Sequence, residues 1–206
     1  FWDVVVNSTG TKLVGTNPLD IDGTLTVTAG TLDLAAIAGH TVAGTASVSG
    51  TLDVKTASIV ITGGLTVNGT VDMDQNAASL TCGSFTNNAS GVLDFGANAT
   101  SALICNGAWA DAGTTNPGNS TLTLAGTGVN LSSMNSTDFY HLTISGTYTA
   151  TSNLDIEGTV TVSGTFAPGS YTHKVAGSWD DSGGTFAASA GTVIFDGTGA
   201  KTITSK

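Results

Sequence analysis

Apolar and polar residues alternate along most of this chain, in short runs that are separated by glycine. The segment GTLTVTAGTLDL (23–34) is typical, because Leu25, Val27, Leu32 and Leu34 are separated by small or polar residues. A period of two is the pattern of β-strands that bury one face, and the helical period of 3.6 residues is not seen. The pattern therefore predicts an all-β fold.

The alternating segments belong to an internal repeat. Four copies superimpose: IDGTLTVTAGTLDL (21–34), VAGTASVSGTLDV (42–54), ITGGLTVNGTVDM (61–73) and TCGSFTNNASGVLDF (81–95), and a degenerate fifth copy begins at Ile104. If Asp22, Ala43, Thr62, Cys82 and Cys105 are equivalent, the copies are 21, 19, 20 and 23 residues apart. A period of about 20 residues without helices predicts the coils of a solenoid. Because parallel crossovers strongly favour one hand, we expect a right-handed parallel β-solenoid, or β-helix.

Stacked coils would place equivalent residues in columns along the solenoid axis, about 4.8 Å apart. We expect three apolar columns to face inward: Leu32, Leu52, Val71 and Leu93; Leu34, Val54, Met73 and Phe95; and Val27, Val48 and Val67. The columns between them should face outward: Thr26, Ser47, Thr66 and Thr86; Thr31, Thr51 and Thr70; and Asp33, Asp53, Asp72 and Asp94. Glycine recurs where each coil must turn and a positive φ angle is tolerated, at Gly30, Gly50, Gly69 and Gly91.

A longer repeat overlies the short one. FYHLTI (139–144) echoes FWDVVV (1–6), LDIEGT (154–159) echoes LDIDGT (19–24), and TVIFDGTG (192–199) echoes TLTLAGTG (121–128). We therefore predict a long solenoid module at residues 1–137 and a shorter module at 138–206. The second module continues the first and lacks some of its coils.

The composition predicts a surface with few charges. Only 10% of the 206 residues are charged, there is no arginine, and the net charge is -10. Binding to nucleic acid needs clustered lysine and arginine, so neither nucleic acid nor an anionic membrane is an expected partner. No apolar run approaches the roughly 20 residues of a membrane helix, so membrane insertion is not expected. A surface of threonine, serine and asparagine favours an extracellular location, and a chain that starts at Phe1 is expected to be a piece of something longer.

Through patterns such as GTLTVTAGTLDL (23–34) and GTVIFDGTGAKTI (191–203), the whole chain resembles the β-solenoid repeat regions of large secreted prokaryotic surface proteins and adhesins. The resemblance implies a cell-surface role as a stalk, fibre or surface layer. It implies no catalytic residue, because the shared patterns are structural. We therefore expect a structural subunit or repeat of an extracellular assembly, such as a filament, a sheath or an adhesin stalk.

Motifs of catalysis are weak in this sequence. GTGAKT (197–202) lacks the glycine that precedes the lysine of a phosphate-binding loop, and strand-like residues follow it. His40, His141 and His173 stand apart without metal-ligand spacing, and we expect them in loops or on the surface. Solenoid enzymes that cleave acidic polysaccharides need cationic groups to stabilise developing negative charge, and this chain has no arginine. We expect no enzymatic activity.

The aspartate column is the one charged constellation, formed by Asp33, Asp53, Asp72 and Asp94. Like charges about 4.8 Å apart repel by roughly 1 kcal/mol even in water, so some feature must make the column acceptable. A solvated acidic face would keep a fibre of low charge soluble and would discourage lateral sheet association. Alternatively, carboxylates of neighbouring coils bind Ca²⁺ or another hard cation as a metal site. Apart from this calcium alternative, no cofactor is expected.

Outward threonines permit a different function. A flat array of threonine can match a repetitive surface such as ice or a crystalline polysaccharide. However, the Thr-x-Thr pair survives only at Thr24/Thr26 and Thr159/Thr161, and threonine is also common on solvated strands because of its β-propensity. The alternative function is therefore a binding module that uses a flat Thr/Asp face for carbohydrate, ice or Ca²⁺.

The two cysteines are equivalent in the repeat. Cys82 and Cys105 occupy a column that elsewhere holds Asp22, Thr62 and Glu157, so we expect both side chains to point outward and to lie side by side. Neighbouring coils bring Cα atoms within the range of a disulfide, and we predict a bond between them. Two stacked free thiols are the alternative.

Sequons for N-glycosylation occur at seven of the thirteen asparagines: Asn7, Asn68, Asn88, Asn98, Asn119, Asn130 and Asn135. If the source glycosylates its surface proteins, we expect several of them to carry glycans, because they fall in turns or at outward positions.

Adjacent aromatic residues open both modules, as Phe1-Trp2 and Phe139-Tyr140. Alternation places the two rings of a pair on opposite faces, so one ring either plugs the core at a coil junction or makes an assembly contact. Neither end of the chain has the pattern of a capping repeat, and a second copy placed after Lys206 would continue the solenoid. We expect head-to-tail self-association, with polysaccharide as a further partner. The predicted assembly contact consists of Phe1, Trp2, Val4 and Val6.

Overall fold

The computed structural model describes residues 1–75, 77–97, 100–133 and 139–206. Within these residues the chain forms strands and turns, with no helix, and the paired strands run parallel. The strands stack in a β-solenoid of about 10 turns with coils of about 20 residues. The predicted all-β parallel solenoid is confirmed.

The strands are short because alternation is interrupted every few residues by glycine or by a tight turn. In chain order they are β1 (Val4–Leu13), β2 (Asp20–Ile21), β3 (Leu25–Asp33), β4 (His40–Val42), β5 (Ala46–Val48), β6 (Thr51–Asp53), β7 (Ser58–Val67), β8 (Thr70–Asp72), β9 (Ser79–Asn87), β10 (Val92–Asp94), β11 (Ala102–Cys105), β12 (Trp109–Asp111), β13 (Thr114–Asn116), β14 (Thr121–Leu124), β15 (Thr127–Ser133), β16 (His141–Ile144), β17 (Thr147–Ala150), β18 (Leu154–Ile156), β19 (Val160–Val162), β20 (Thr165–Ala167), β21 (Thr172–Val175), β22 (Trp179–Asp180), β23 (Thr185–Phe186), β24 (Thr192–Phe195) and β25 (Ile203–Thr204).

Each coil crosses three faces in turn, which we call A, B and C. Face A stacks β2, β4, β7, β9, β11, β14, β16, β19, β22 and β25. Face B stacks β1, β3, β5, β7, β9, β12, β15, β17, β20 and β23. Face C stacks β1, β3, β6, β8, β10 and β13 in its first part and β18, β21 and β24 in its second. Strands β1, β3, β7 and β9 bend round a corner and so contribute to two faces.

The core fills the inside of the coils. All three apolar columns predicted from the sequence are buried, because neighbouring coils pair in register and place each residue on its equivalent. The ring of Phe85 stacks on Trp109 with centroids 4.2 Å apart, and Phe139 meets the edge of Trp109 at 5.8 Å. Phe139 is therefore the ring that plugs the core where the second module begins.

Outward columns are half-buried rather than fully exposed. Thr26, Ser47, Thr66 and Thr86 pair in register, so each side chain is flanked by its equivalents on both neighbouring coils. Stacking at about 4.8 Å leaves only the tips of such side chains in solvent.

The corner glycines are required mainly by close approach between coils. Of the four predicted turn glycines, Gly30 has a positive φ angle, of 70°, and the other three do not. A Cβ atom on Gly50 would overlap the carbonyl oxygen of Gly30, and one on Gly69 would overlap that of Gly50. The predicted position of the turn is correct, but positive φ is not the general reason for the column.

The two modules begin on different faces. Val4 to Val6 lie on face B, where they pair with Leu25 to Val27. The equivalent residues of the second module, Leu142 to Ile144, lie on face A, where they pair with Leu122 to Leu124. The predicted module boundary at 137/138 falls outside the described residues. Because β14 pairs with β16, strands from both sides of it share one sheet.

Candidate functional site

The aspartate column forms as predicted along face C. Asp33, Asp53 and Asp72 pair in register from coil to coil, and Asp94 follows Asp72. One coil further the equivalent residue is Asn116, which pairs with Asp94 and ends the acidic run.

Each of these aspartates accepts a hydrogen bond that forms the turn at the following corner of the coil. The Oδ1 atom of Asp33 accepts a hydrogen bond from the Ala35 N–H at 2.7 Å, and that of Asp94 accepts one from Gly96 at 2.9 Å. Asp53 and Asp72 make the same two-residue bond at 3.3 Å and 3.1 Å. These are Asx turns, in which a short carboxylate side chain replaces a backbone acceptor. This structural role was not predicted from the sequence, although the fixed place of aspartate at the end of each coil is the signal for it.

An Asx turn can stabilise a positive φ angle at the residue two positions after the aspartate. Ala35 has a φ angle of 56° and Lys55 one of 54°, both in the left-handed region that side chains usually avoid. The hydrogen bond that each of these residues donates from its N–H to the aspartate two positions earlier helps to hold that conformation. Turn formation therefore explains why aspartate recurs here even though the charges repel.

Electrostatics within the column are uneven. The Lys55 Nζ atom lies 2.6 Å from Asp53 Oδ2, and this bond raises the pKa of the lysine. Burial raises the pKa of Asp72, and the nearby charges of Asp74, Asp53 and Asp94 add to the effect. Asp53 is buried, which contradicts its expected outward, solvated position; it is covered by its stacked neighbours and by Lys55.

The calcium alternative depends on which carboxylate oxygens of the column are free. One oxygen of each aspartate accepts the hydrogen bond of its Asx turn, and the second oxygen of Asp53 is already paired with the Lys55 ammonium. Across the described ranges no group of three or more His, Cys, Asp or Glu residues is placed to hold a metal ion. Calcium binding by Asp33, Asp53, Asp72 and Asp94 stays a prediction.

The Thr-x-Thr pairs do not form one array. Thr26 lies on face B, paired with Ser47, whereas Thr161 lies on face A, paired with Thr143. The shift of one face between the modules separates them. Any flat binding surface for ice or polysaccharide would therefore have to use the threonines of one module alone, of which Thr24, Thr159 and Thr161 are exposed and Thr26 is half-buried.

Cys82 and Cys105 lie side by side, but they point inward. Both are fully buried, and β9 and β11 pair them directly. The expected outward orientation was wrong, because Cys82 pairs with Ile61 and not with Thr62. The corner between Cys82 and Phe85 is one residue shorter than that between Ile61 and Leu65, and a slip of one residue exchanges the inward and outward positions of a strand. The structure holds the two residues as free thiols, and the disulfide stays a prediction.

Two of the three histidines are buried, so the expectation of loop or surface histidines was wrong for them. His40 pairs with Ile59 and His173 pairs with Leu154, at inward positions. The Leu19 N–H donates to His40 Nδ1 at 2.9 Å, and His173 Nε2 lies 2.9 Å from the Pro168 carbonyl oxygen. Burial lowers the pKa of both imidazoles. Strict alternation along each strand was the signal for these positions.

The sequons that the structure describes are accessible to different degrees. Asn7, Asn88, Asn119 and Asn130 are exposed, and Asn68 is half-buried. The Asn88 Nδ2–H donates to Asn68 Oδ1 at 2.8 Å, and a glycan on Asn88 would leave one Nδ2–H for that bond. Asn98 and Asn135 lie outside the described residues. Glycosylation stays a prediction.

The predicted assembly residues lie on the first coil, but they differ in exposure. Phe1 and Trp2 are 71% and 76% exposed, and Val4 is half-buried. Val6 is buried in the core, because it occupies an inward position and pairs with Val27 of the next coil. Its side chain is therefore not an exposed contact, although the outer edge of its strand has no partner among the described strands.

No protein-family model, curated protein or solved structure matches this chain. Among the described residues, no helix meets the length and hydropathy of a membrane span.

Proposed function

We propose that this chain is a non-catalytic structural unit of an extracellular surface assembly, such as a filament, a sheath or an adhesin stalk, that extends by head-to-tail stacking. A low content of charge, the absence of arginine and the accessible sequons support a cell-surface location and a glycoprotein. The net charge of -10 argues against nucleic acid as a partner.

The exposed apolar side chains carry the proposal. Among the described residues eight large apolar side chains are exposed, and all but Val60 lie on the first or the last coils: Phe1, Trp2, Val5, Leu13, Ile194, Phe195 and Ile203. Within the part of the chain that the structure describes, the outer edges of the terminal strands also present backbone groups without a strand partner. Such edges pair readily with another chain unless they are covered.

Sedimentation velocity and electron microscopy of the purified chain test the proposal. The intact chain should form long polymers, and deleting residues 1–6 should abolish them while the other coils stay folded. A double variant, Phe1→Ser with Trp2→Ser, should shorten the polymers. The control variant Val60→Ser should leave their length unchanged, because Val60 lies on face A of an interior coil and not at an end of the solenoid. An intact chain that stays monomeric at high concentration would contradict the proposal.

A binding module remains the second candidate. A shallow groove of about 310 Å³ lies beside the aspartate column, lined by residues that include Asp33, Lys55 and Gln75. It offers polar groups to a carbohydrate or a cation. Isothermal titration with Ca²⁺ and with soluble polysaccharides, using the monomeric deletion variant as well as the intact chain, would separate binding at this groove from assembly.

A further inference from the structure

The chain already contains one junction at which a closing coil meets an opening coil. At this internal junction Leu122 pairs with Leu142, and Leu124 pairs with Ile144. The ring of Phe139 enters the core against Trp109. Because the two modules repeat each other in sequence, this junction shows how such coils fit together.

The first coil of the chain has the hydrogen bonds of the internal opening coil. The Phe1 carbonyl accepts from the Asp22 N–H at 2.6 Å, and the Phe139 carbonyl accepts from the Glu157 N–H at 2.9 Å. Asp3 Oδ1 accepts the N–H of Thr24 at 2.7 Å, as His141 Nδ1 accepts the N–H of Thr159 at 3.1 Å. Residue for residue, Phe1 to Val6 take the place of Phe139 to Ile144.

The last coils have the pairing of the internal closing coils. Leu122, Leu124 and Leu131 stack on Leu103, Cys105 and Trp109. In the same way, Val193, Phe195 and Ile203 stack on His173, Val175 and Trp179. The two sets of coils differ in whether a further coil of the chain packs over them.

The exposed fractions of equivalent side chains on the two sets of coils show this difference. Leu124 and Leu131 are 0% exposed beneath the second module, whereas their equivalents Phe195 and Ile203 are 41% and 56% exposed. A pocket of about 170 Å³ opens between Trp179, Phe186, Phe195 and Ile203. It lies beside Trp179, which is the equivalent of the tryptophan that receives Phe139.

We infer that a second copy of this chain docks on the last coil by rebuilding the internal junction, with its Phe1 ring in the pocket beside Trp179 and its strand β1 on β24. Val4 of the second copy then pairs with Val193, Val5 with Ile194 and Val6 with Phe195. This inference rests on the proposed head-to-tail assembly and adds its register.

The register requires a rotation between copies. Val4 to Val6 lie on face B of their own chain, whereas Val193 to Phe195 lie on face C. The second copy is therefore turned by one face relative to a simple continuation of face B on face B. The internal junction moves the opening strand from face B to face A, and the proposed junction moves it one face further in the same sense, from face A to face C.

Cysteine cross-linking at outward positions tests the register. Chains carrying Val5→Cys are mixed with chains carrying Ile194→Cys on face C, and in separate control mixtures with Thr185→Cys on face B or Thr204→Cys on face A. All four positions are exposed, and the native cysteines are fully buried. Registered neighbours about 4.8 Å apart lie within the Cα range of a disulfide.

Oxidation of the mixture of Val5→Cys and Ile194→Cys chains should give a covalent heterodimer as the main product. Neither control mixture should give that heterodimer. Non-reducing gels and mass spectrometry of the linked peptide detect it. Polymers that cross-link through Thr185→Cys or Thr204→Cys would overturn the register while the head-to-tail proposal stands. The absence of both polymers and cross-links would overturn both.

Discussion

The hydroxyl of Tyr148 is the clearest place to test how the internal junction is stabilised. It accepts a hydrogen bond from the Gly126 N–H at 3.0 Å and donates to the Gly107 carbonyl at 2.7 Å, with the Cys105 carbonyl at 3.2 Å. The side chain is fully buried, and burial raises the pKa of Tyr148 to about 12. Replacing it by phenylalanine removes these bonds and keeps the ring.

The magnitude follows from the groups that lose a partner. A hydrogen bond contributes about 1 kcal/mol net, and a buried donor left without an acceptor costs about 1–3 kcal/mol. Because the Gly126 N–H loses its acceptor while the ring still packs against Phe166, we expect Tyr148→Phe to lower the free energy of unfolding by about 2 kcal/mol. For a chain of this size that corresponds to a decrease in Tm of roughly 4–8 °C.

Urea and thermal unfolding of Tyr148→Phe should be compared with Tyr171→Phe, a half-buried tyrosine of a later coil. Hydrogen exchange of the Gly126 amide should become faster in the first variant only. A raised pKa means that the folded state favours the protonated phenol, so wild-type stability should fall as the pH rises from about 10 to about 12. Equal stability of the two variants, within about 0.5 kcal/mol, would refute this account of the junction.

Three further predictions concern the buried histidines, the two cysteines and the aspartate column. Because burial lowers the pKa of His40 and His173, the unfolded chain binds more protons than the folded chain below about pH 6.5, and the urea midpoint should fall on acidification from pH 7 to pH 5. A midpoint that is constant over this range would contradict the buried placement. The disulfide prediction requires that neither Cys82 nor Cys105 is alkylated when the chain is unfolded without reductant; alkylation of both would show the free thiols. Asp94→Ala should lose about 1 kcal/mol with the Asx turn, whereas Asp94→Asn should keep the turn and be at least as stable as wild type. Equal unfolding free energies of the two variants would contradict a turn-forming role, and a Ca²⁺-dependent rise in Tm that both variants lose would support the calcium site.

The sequence by itself determined the fold class and most of the core. Apolar residues at every second position can be buried only by strands, and a period of about 20 residues can be satisfied only if equivalent residues stack. Leu32, Val71 and Phe95 were placed correctly for this reason. The aspartate column was also predicted, since its members share one position in every copy.

Corner geometry could not be predicted from the repeat. The orientation of Cys82 depends on a corner that is one residue shorter than its neighbour's, and an alignment that matches the glycines hides this change. Likewise, the sequence shows where aspartate recurs, but only the hydrogen bond that the Ala35 N–H donates to Asp33 shows that it closes a turn. Both features depend on local backbone paths, which period and polarity do not encode.

Only the tertiary structure decided how the two modules meet. The sequence equates Val4 with Leu142, yet the first lies on face B and the second on face A. Which face a strand occupies depends on the number of corners that the chain has turned, and this sum is a property of the whole path. The pairing of β14 with β16 and the burial of Phe139 follow from it, because each strand must lie over whichever strand the preceding coil has placed beneath it.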